Sequence, residues 1–201
     1  MTSESTAAAD GPGDAESDVP ARRRGRLTFD LDVEICVVGG GLAGLTVALE
    51  AARTGANVVV LEGRHVGWNA SGHHLGTAMP GYALPLSDLI ARVGFNDAYE
   101  LWSLSRAGAD YVRAHAAEQA IPGLGIPGLG LTEGVLEVSN VDAGERLISH
   151  LQMLSEDFAT EVEGWQVDRV RDTLRTGRYF HAVHYPRAFQ IDGRRYVHGL
   201  A

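Results

Sequence analysis

The chain has 201 residues, a net charge of −9 at pH 7 with histidine neutral, and a hydrophobic fraction of 45%. This length is enough for one domain with a hydrophobic core, and the acidic balance argues against a nucleic-acid-binding protein. The single cysteine, Cys36, excludes an intramolecular disulfide and is typical of a reducing compartment. No apolar run is long enough to span a bilayer, and no apolar segment follows the arginines near the N-terminus. The sequence therefore predicts a cytoplasmic protein without a membrane-spanning segment.

The first 28 residues differ in composition from the rest of the chain. They are rich in alanine, serine, glycine and acidic residues, end near a cluster of arginines, and lack apolar periodicity. Such a segment cannot bury enough apolar surface to offset the entropy lost on ordering. We therefore predict a disordered tail over residues 1–28, with an ordered domain that begins near Phe29.

A β-α-β unit is predicted next. The runs VEICVV (residues 33–38) and NVVVLE (residues 57–62) are apolar and β-branched, as in strands buried on both faces of a parallel sheet. Cys36 lies within the first run, so we expect a buried core thiol rather than a nucleophile. Gly55 is suited to end the intervening helix. The apolar residues of that helix recur at helical spacing: Leu42, Leu45, Leu49 and Ala52.

The remainder of the chain begins with a loop-rich stretch up to residue 85. Ser87 and Asn96 are both suitable N-caps for a following helix. Periodicity then predicts a helix over residues 97–120, a strand or hairpin over 131–139, a helix over 143–162, extended segments over 178–186 and 188–191, and a helix from residue 193. The tandem duplication IPGLGIPGLG at residues 121–130 is too short for a repeat architecture and is predicted to lengthen a loop.

The stretch VVGGGLAGL contains Gly39, Gly41 and Gly44 in the spacing G-x-G-x-x-G. The motif follows a predicted buried strand directly and opens a predicted helix, which is the context that a dinucleotide site requires. Gly39 permits a tight turn, Gly41 lets a pyrophosphate approach the backbone, and Gly44 lets the helix pack closely against the sheet. Free N–H groups at the start of the helix are suited to bind the phosphates.

Glu62 ends the second predicted strand, close to the interval of about 20 residues expected for the acid of such a site. A carboxylate there accepts hydrogen bonds from ribose hydroxyls and repels a 2′-phosphate, so NADP is disfavoured. These residues leave both NAD and FAD open.

At this point the sequence resembles the flavoprotein amine oxidases related to D-amino-acid oxidase, including glycine oxidase and sarcosine oxidase, and most of all a γ-glutamylputrescine-oxidase-like branch. The resemblance rests on DVEICVVGGGLAGLTVALEAARTGANVVVLEG followed by HVGWNASGHHLG, and it extends over residues 33–201. It implies an α/β fold in which an incomplete Rossmann-like FAD-binding domain carries an α+β insertion that begins a substrate domain. The implied division is residues 29–80 for the FAD-binding β-α-β unit and flavin loop, 81–190 for the insertion, and 191–201 for a helix that returns to the FAD domain.

The resemblance implies FAD as the cofactor and a small-molecule amine or amino acid as the substrate. The implied reaction oxidises the C–N bond to an imine, with oxygen as the electron acceptor. Two alternatives are another FAD-dependent dehydrogenase of the same nucleotide-binding type and a truncated, catalytically silent product. The residues implied to bind FAD are Gly39, Gly40, Gly41, Leu42, Ala43, Gly44, Glu62, Gly63, Arg64, Ser71 and Gly72.

The sequence departs from the family pattern after Ser71 and Gly72. The branch commonly continues Ser-Gly with Arg-Asn-Gly-Gly, whereas His73 and His74 follow here. These two histidines are therefore candidate catalytic residues that could polarise the flavin, bind substrate or attach the flavin covalently; the alternative is ordinary loop histidines. A metal site is not expected, because no C-x-x-C or H-E-x-x-H pattern accompanies the histidines considered for it, which are His73, His74, His181 and His184.

The length of the chain is the second departure, since family members are longer by about a factor of two. The resemblance therefore implies an N-terminal fragment that lacks later strands of the nucleotide-binding sheet and much of the substrate site. We expect such a chain on its own to be insoluble or molten and to hold no FAD.

Overall fold

The computed structural model describes residues 25–117, 129–142 and 144–201. The chain divides into two compact units, residues 1–32 and 33–201, and the described part of the first contains no helix or strand. Most of the predicted disordered tail lies outside the described residues. So do residues 121–128 of the IPGLG duplication and the last residues of the helix predicted to reach residue 120.

The second unit begins with the predicted β-α-β arrangement, formed by β1 (Ile35–Val38), α1 (Leu42–Arg53) and β2 (Val58–Leu61). The two strands pair in parallel and in register along their whole length. Gly55 follows α1 with a φ of 92°, a left-handed conformation that glycine adopts without steric cost. The predicted helix end is therefore confirmed.

The prediction that β1 and β2 are buried on both faces was wrong, because no residue of either strand is fully buried. Val38 is 84% exposed and Ile35 is 37% exposed, and Cys36 is an exposed thiol rather than a core thiol. A parallel strand becomes buried when strands flank it and helices cover both faces. Among the described residues, β1 pairs with β2 alone, so apolar surface of this strand remains in contact with solvent.

The other elements follow in chain order. A 3-10 turn at Ala70–Gly72 and a π-helical turn at Met153–Asp157 accompany them. The remaining strands and helices are β3 (Thr77–Ala78), α2 (Leu86–Val93), α3 (Phe95–Ala117), β4 (Thr132–Ser139), α4 (Gly144–Gln152), β5 (Glu163–Trp165), α5 (Val167–Leu174), β6 (His181–Gln190) and α6 (Gly193–Leu200). Among the described residues, no helix combines the length and the apolar character needed to cross a membrane.

The predicted N-caps of α2 and α3 were wrong, because Ser87 and Asn96 both lie inside the first helical turns. Pro85 occupies the N-cap position of α2, where its fixed φ suits a helix start and its missing N–H leaves no donor unsatisfied. α3 begins earlier than predicted because the Gly94 carbonyl accepts the helical hydrogen bond from the Ala98 N–H at 3.1 Å.

β6 is the central strand of an antiparallel sheet, since β3, β4 and β5 all pair with it. The two extended segments predicted near residues 178–191 belong to this one strand. The predicted strand over residues 131–139 is β4, which pairs with β6 rather than within a local hairpin. The fold is therefore α/β with a parallel β-α-β start and an antiparallel α+β part, while the predicted domain boundaries remain predictions.

The helix predicted over residues 143–162 ends early, and β5 and α5 were not predicted. α4 passes into the π-helical turn, and the chain then reverses at Ala159, whose φ is 45°. Leu154 and Phe158 are completely buried, and the Phe158 ring lies 5.9 Å from that of Trp102 on α3. The end of the helix coincides with packing of these side chains against a helix distant in sequence, and periodicity alone does not contain that information.

Two apolar clusters form the core. One joins α2, α3 and the π-helical turn to the helix-covered face of β6. The other joins α1, the last residues of β6 and α6 through Leu45, Phe189, Tyr196 and Val197. The second cluster holds α6 beside α1, and the loop between β2 and β3 lies at this junction.

Candidate dinucleotide-binding site

The glycine turn, residues 39–44, joins β1 to α1. Gly39 has a φ of 110°, which L side chains rarely adopt. A Cβ at Gly44 would lie 2.1 Å from the Gly39 carbonyl oxygen, and a Cβ at Gly40 would lie 3.2 Å from Cβ of Glu62. Gly44 therefore has no room for a larger side chain, and Gly40 is packed tightly against the end of β2.

α1 begins without a capping side chain of its own, because Gly41 occupies its N-cap position. The Leu42 N–H donates instead to Ser71 Oγ at 3.0 Å, across 29 residues of sequence. A Cβ at Gly41 would lie 3.1 Å from the same oxygen. Ala43 follows in the first turn of the helix, whose remaining N–H groups and positive dipole end attract anions. The fold thus brings the glycine turn and Ser71 together at one helix N-terminus.

Glu62 directly follows β2, and its carboxylate contacts the glycine turn. Oε2 accepts a hydrogen bond from the Gly40 N–H at 2.7 Å, and Oε1 accepts one from the Arg64 N–H at 2.8 Å. These bonds, with that from Gly40 the largest cause, lower the pKa of Glu62 below its usual value. The carboxylate is therefore ionised at neutral pH, and its two oxygens together keep lone-pair capacity beyond these backbone donors.

An aromatic and cationic surface lies after Glu62. The Arg64 guanidinium lies 4.7 Å from the centroid of the Trp68 ring, and the His65 ring meets the same indole edge-on at 4.7 Å. The sequence analysis named Arg64 but missed Trp68, which is 42% exposed. A tryptophan directly after a glycine, close to a nucleotide motif, could have indicated an exposed surface for a planar ring. At Gly63 the structure has open space where a Cβ would lie, so nothing steric requires glycine there.

The Ser-Gly loop, residues 63–76, is held at both ends. The Gly67 N–H donates to the Gly40 carbonyl at 3.0 Å, and a Cβ at Gly72 would lie 2.1 Å from the Gly67 carbonyl oxygen. At the other end, a Cβ at Gly76 would overlap the Ile191 carbonyl oxygen at 1.7 Å. The loop is therefore fixed between the glycine turn and the corner that leads from β6 into α6.

The two candidate histidines of this loop have different surroundings. Both are exposed, and His73 Nδ1 lies 3.0 Å from the Asn69 carbonyl oxygen. His74 accepts a hydrogen bond from the Gly76 N–H on Nδ1 at 2.9 Å. Its ring lies against Gly193, where a Cβ would come within 2.1 Å of Cε1.

The other two histidines considered for a metal site lie on β6. His181 Nε2 is 2.9 Å from Asp142 Oδ1, and His184 Nδ1 is 3.4 Å from Glu163 Oε2. In the described ranges, no three histidine, cysteine or acidic side chains are grouped so as to hold a metal ion.

Comparisons with known proteins agree with this arrangement. The model of the DAO family, described as FAD dependent oxidoreductase, matches residues 34–201. The probable oxidoreductase OrdL of Haemophilus influenzae is 40% identical over 86 residues, which cover 43% of this chain and 20% of the relative. The γ-glutamylputrescine oxidoreductase of Escherichia coli is 34% identical over 87 residues, with coverage of 43% and 20%.

The solved structure of glycine oxidase from Bacillus cereus is similar to this chain with a TM-score of 0.60 at 20% identity. The similarity covers 85% of this chain and 43% of that protein, and it shows the fold. The chain thus spans less than half the length of this solved relative, and its match covers a fifth of each of the two curated ones.

Proposed function

The chain belongs to the DAO family of FAD-dependent oxidoreductases, and we propose that its glycine turn and Ser-Gly loop bind FAD for the oxidation of a C–N bond in an amine or amino acid. One observation carries the proposal: Ser71 from the loop meets the N-terminus of α1 while the ionised Glu62 bonds to the glycine turn. A diphosphate and a ribose need this combination of an anion-attracting helix end and a nearby carboxylate.

Ser71 contributes a donor to the proposed pyrophosphate site. Its Oγ already accepts the Leu42 N–H, so its own hydroxyl hydrogen remains to donate to a phosphate oxygen. Gly41 keeps the space beside this hydroxyl open, because a Cβ there would come within 3.1 Å of Oγ. The proposed phosphate and loop contacts are those of Gly39, Gly40, Gly41, Leu42, Ala43, Gly44, Ser71 and Gly72.

Glu62 and Arg64 would bind the adenosine side of the cofactor. The free lone pairs of the Glu62 carboxylate would accept the ribose hydroxyls, and its negative charge would repel a 2′-phosphate. Arg64, which follows Gly63, lies over Trp68 and gives a flat surface beside the ribose site. Bound FAD supplies the two-electron oxidation, while the protein positions the cofactor and the substrate and excludes water.

The proposed substrate class is inferred from the names of the similar proteins. Their printed names refer to γ-glutamylputrescine, which is an amine, and to glycine, which is an amino acid. Because the matches cover only part of those proteins, the amine or amino acid substrate and oxygen as the acceptor are proposals for this chain. A small-molecule substrate fits an oxidoreductase of this family.

Replacement of Gly41 by valine tests the cofactor site. A branched side chain at this position would press against Ser71 Oγ and occupy the space that we propose for the pyrophosphate. In a form of the protein that holds FAD, we expect Gly41→Val to abolish FAD binding, measured by flavin absorbance and equilibrium titration, while far-UV circular dichroism is unchanged. The matched control is Gly108→Val, since a Cβ at the exposed Gly108 on α3 meets open space. Full FAD binding by Gly41→Val would contradict the proposed phosphate site.

The reaction is tested separately on FAD-loaded protein. Amines and amino acids are supplied in turn, and hydrogen peroxide release is compared with reduction of an artificial dye. Peroxide release supports an amine or amino acid oxidase. Dye reduction without peroxide would instead support the alternative of a dehydrogenase, and turnover of no amine or amino acid would contradict the proposed substrate class.

A further inference from the structure

Trp68 presents an exposed aromatic side chain in the Ser-Gly loop, next to the proposed cofactor site. The residue is 42% exposed, whereas Trp102 is 6% exposed and lies in the core. A single exposed aromatic residue is ordinary on a protein surface, so exposure alone assigns no role to it. What distinguishes Trp68 is the set of contacts that connects it to the glycine turn and to Glu62.

The backbone that carries the indole is bonded to the glycine turn. The Gly67 N–H donates to the Gly40 carbonyl at 3.0 Å, and the Trp68 N–H donates to the His65 carbonyl at 3.0 Å. Gly67 is buried, and a Cβ there would lie 3.3 Å from Cγ1 of Val197 on α6. The Trp68 side chain therefore starts from backbone that is fixed beside the turn that we propose for the phosphates.

The side chain of Trp68 is connected to the proposed ribose site through Arg64. The Arg64 N–H donates to Glu62 Oε1 at 2.8 Å, and the Arg64 guanidinium lies over the indole, 4.7 Å from its centroid. The same carboxylate accepts the Gly40 N–H at 2.7 Å. In FAD the adenine is bonded directly to the adenosine ribose, so a ribose held by Glu62 would place the base close to this pair.

An indole with a guanidinium over it fits an adenine ring chemically. Adenine is planar and uncharged, and both aromatic side chains and the flat guanidinium of arginine stack on such rings. His65 adds a second ring, which meets the indole edge-on at 4.7 Å. The ionised Glu62 beside them disfavours a phosphate, so a neutral planar ring is the ligand that this surface fits.

We propose that the Trp68 indole and the Arg64 guanidinium together bind the adenine ring of FAD by stacking, and that this contact favours FAD over FMN, which has no adenine. The inference rests on the proposed function, because it requires the adenosine ribose of FAD at Glu62. The contact contributes to the binding of ligands that contain adenosine, such as FAD and ADP, and contributes nothing to the binding of FMN.

The test is a set of equilibrium titrations with FAD, ADP and FMN as separate probes, on flavin-depleted protein prepared from a form that holds FAD. Trp68→Ala should bind FAD and ADP about tenfold more weakly than the wild type, because a base–aromatic stack is lost. Trp68→Phe keeps an aromatic face and should bind both within about threefold of the wild type. The affinity for FMN should be the same in Trp68→Ala and the wild type.

Trp165 provides the matched control. Its ring also lies under an arginine, with the Arg169 guanidinium 3.9 Å from the centroid, but it belongs to β5 in the antiparallel part. Trp165→Ala should leave the affinity for all three probes unchanged. An equal loss of ADP affinity in Trp165→Ala and Trp68→Ala would overturn the inference, because the loss would not depend on a place beside Glu62.

Tryptophan fluorescence gives a readout that a purely structural role would not change. An adenine stacked on Trp68 should quench indole emission when ADP is added. The quenching should persist in Trp165→Phe and disappear in Trp68→Phe, although Trp68→Phe still binds ADP. Quenching that persists in Trp68→Phe would show that the adenine lies elsewhere and would overturn the inference.

The Gly41→Val variant separates failure of the inference from failure of the proposed function. Wild-type affinity of Trp68→Ala for FAD and ADP, together with loss of FAD binding by Gly41→Val, would overturn the inference and leave the proposed function intact. Full FAD binding by Gly41→Val would overturn the proposed phosphate site and the inference with it.

Discussion

The β-α-β start and the antiparallel part of the protein differ in how they bury apolar strands. In β1, Val38 is 84% exposed, although its sequence is one of the most apolar in the chain. In β6, Val183 and Phe189 are almost completely buried, although histidines and an arginine interrupt that strand. β6 has strands on both sides, and its side chains pack with helices in both core clusters. Neighbouring elements therefore decide whether a strand is buried, whereas its apolar content alone does not.

The largest effect is expected in the core of the antiparallel part. Phe158→Ala removes a completely buried ring that packs against Phe95, Tyr99 and Trp102, and it should lower the free energy of unfolding by about 3–5 kcal/mol. Val38→Ala on exposed β1 is the matched comparison and should change it by less than about 0.5 kcal/mol. Urea unfolding measures both. Similar values for the two variants would contradict the difference in burial between the regions.

Gly44→Ala is expected to have the next largest effect. The added methyl group would lie 2.1 Å from a backbone oxygen of the turn, which cannot move away as a flexible side chain can. We expect a loss of about 1–3 kcal/mol in unfolding free energy together with loss of FAD binding. Gly108→Ala on α3 serves as the control. Gly44→Ala should lower both the unfolding free energy and the FAD affinity by more than Gly108→Ala does. A variant with wild-type stability would show that α1 can shift away from the turn.

Glu62→Ala removes the carboxylate that we propose for the ribose. A hydrogen bond to a charged group contributes about 1.5–3 kcal/mol, so FAD affinity should fall by about one to two orders of magnitude. Glu100→Ala, at an exposed position on α3, should leave the affinity unchanged. Equal affinity in the two variants would mean that Glu62 acts only as an acceptor for Gly40 and Arg64.

A smaller effect is expected on the pH dependence of stability, to which the ionisation of Glu62 contributes. Its pKa is lowered in the folded protein, so its stabilising contribution is present above the unfolded pKa. That contribution is lost as the pH falls through the lowered folded value. NMR titration of the Glu62 side chain should show this low value, and a titration at the usual glutamate value would contradict the bonds from Gly40 and Arg64.

The smallest effect is expected on the surface beside β5. Hydrogen bonds from Arg169, which has the largest effect, and from Trp165 lower the pKa of Glu163 to about 2. Arg169→Gln should raise the pKa of Glu163 towards its usual value, as followed by NMR, with almost no change in stability because the pair is exposed. A large change in unfolding free energy would show that this surface pair matters to the antiparallel part.

The β-α-β unit and its glycine turn were determined by the sequence alone. Helical spacing of leucines, β-branched runs and the left-handed conformation at Gly39 and Gly55 are local properties, and they do not depend on distant residues. The strand over residues 131–139 and the last helix followed from local patterns in the same way. Gly41 and Glu62 were also proposed as site residues from spacing within this unit.

Only the tertiary structure decided how these pieces meet. Ser71 caps α1 from 29 residues away, β6 gathers three strands from different parts of the chain, and Phe158 packs against α3 where a helix ends. The solvent contact of Cys36 and the different hydrogen-bond partners of His73 and His74 belong to the same class of property. Each depends on which groups from other segments lie beside the residue, and a pattern of neighbours along the chain does not specify neighbours in space.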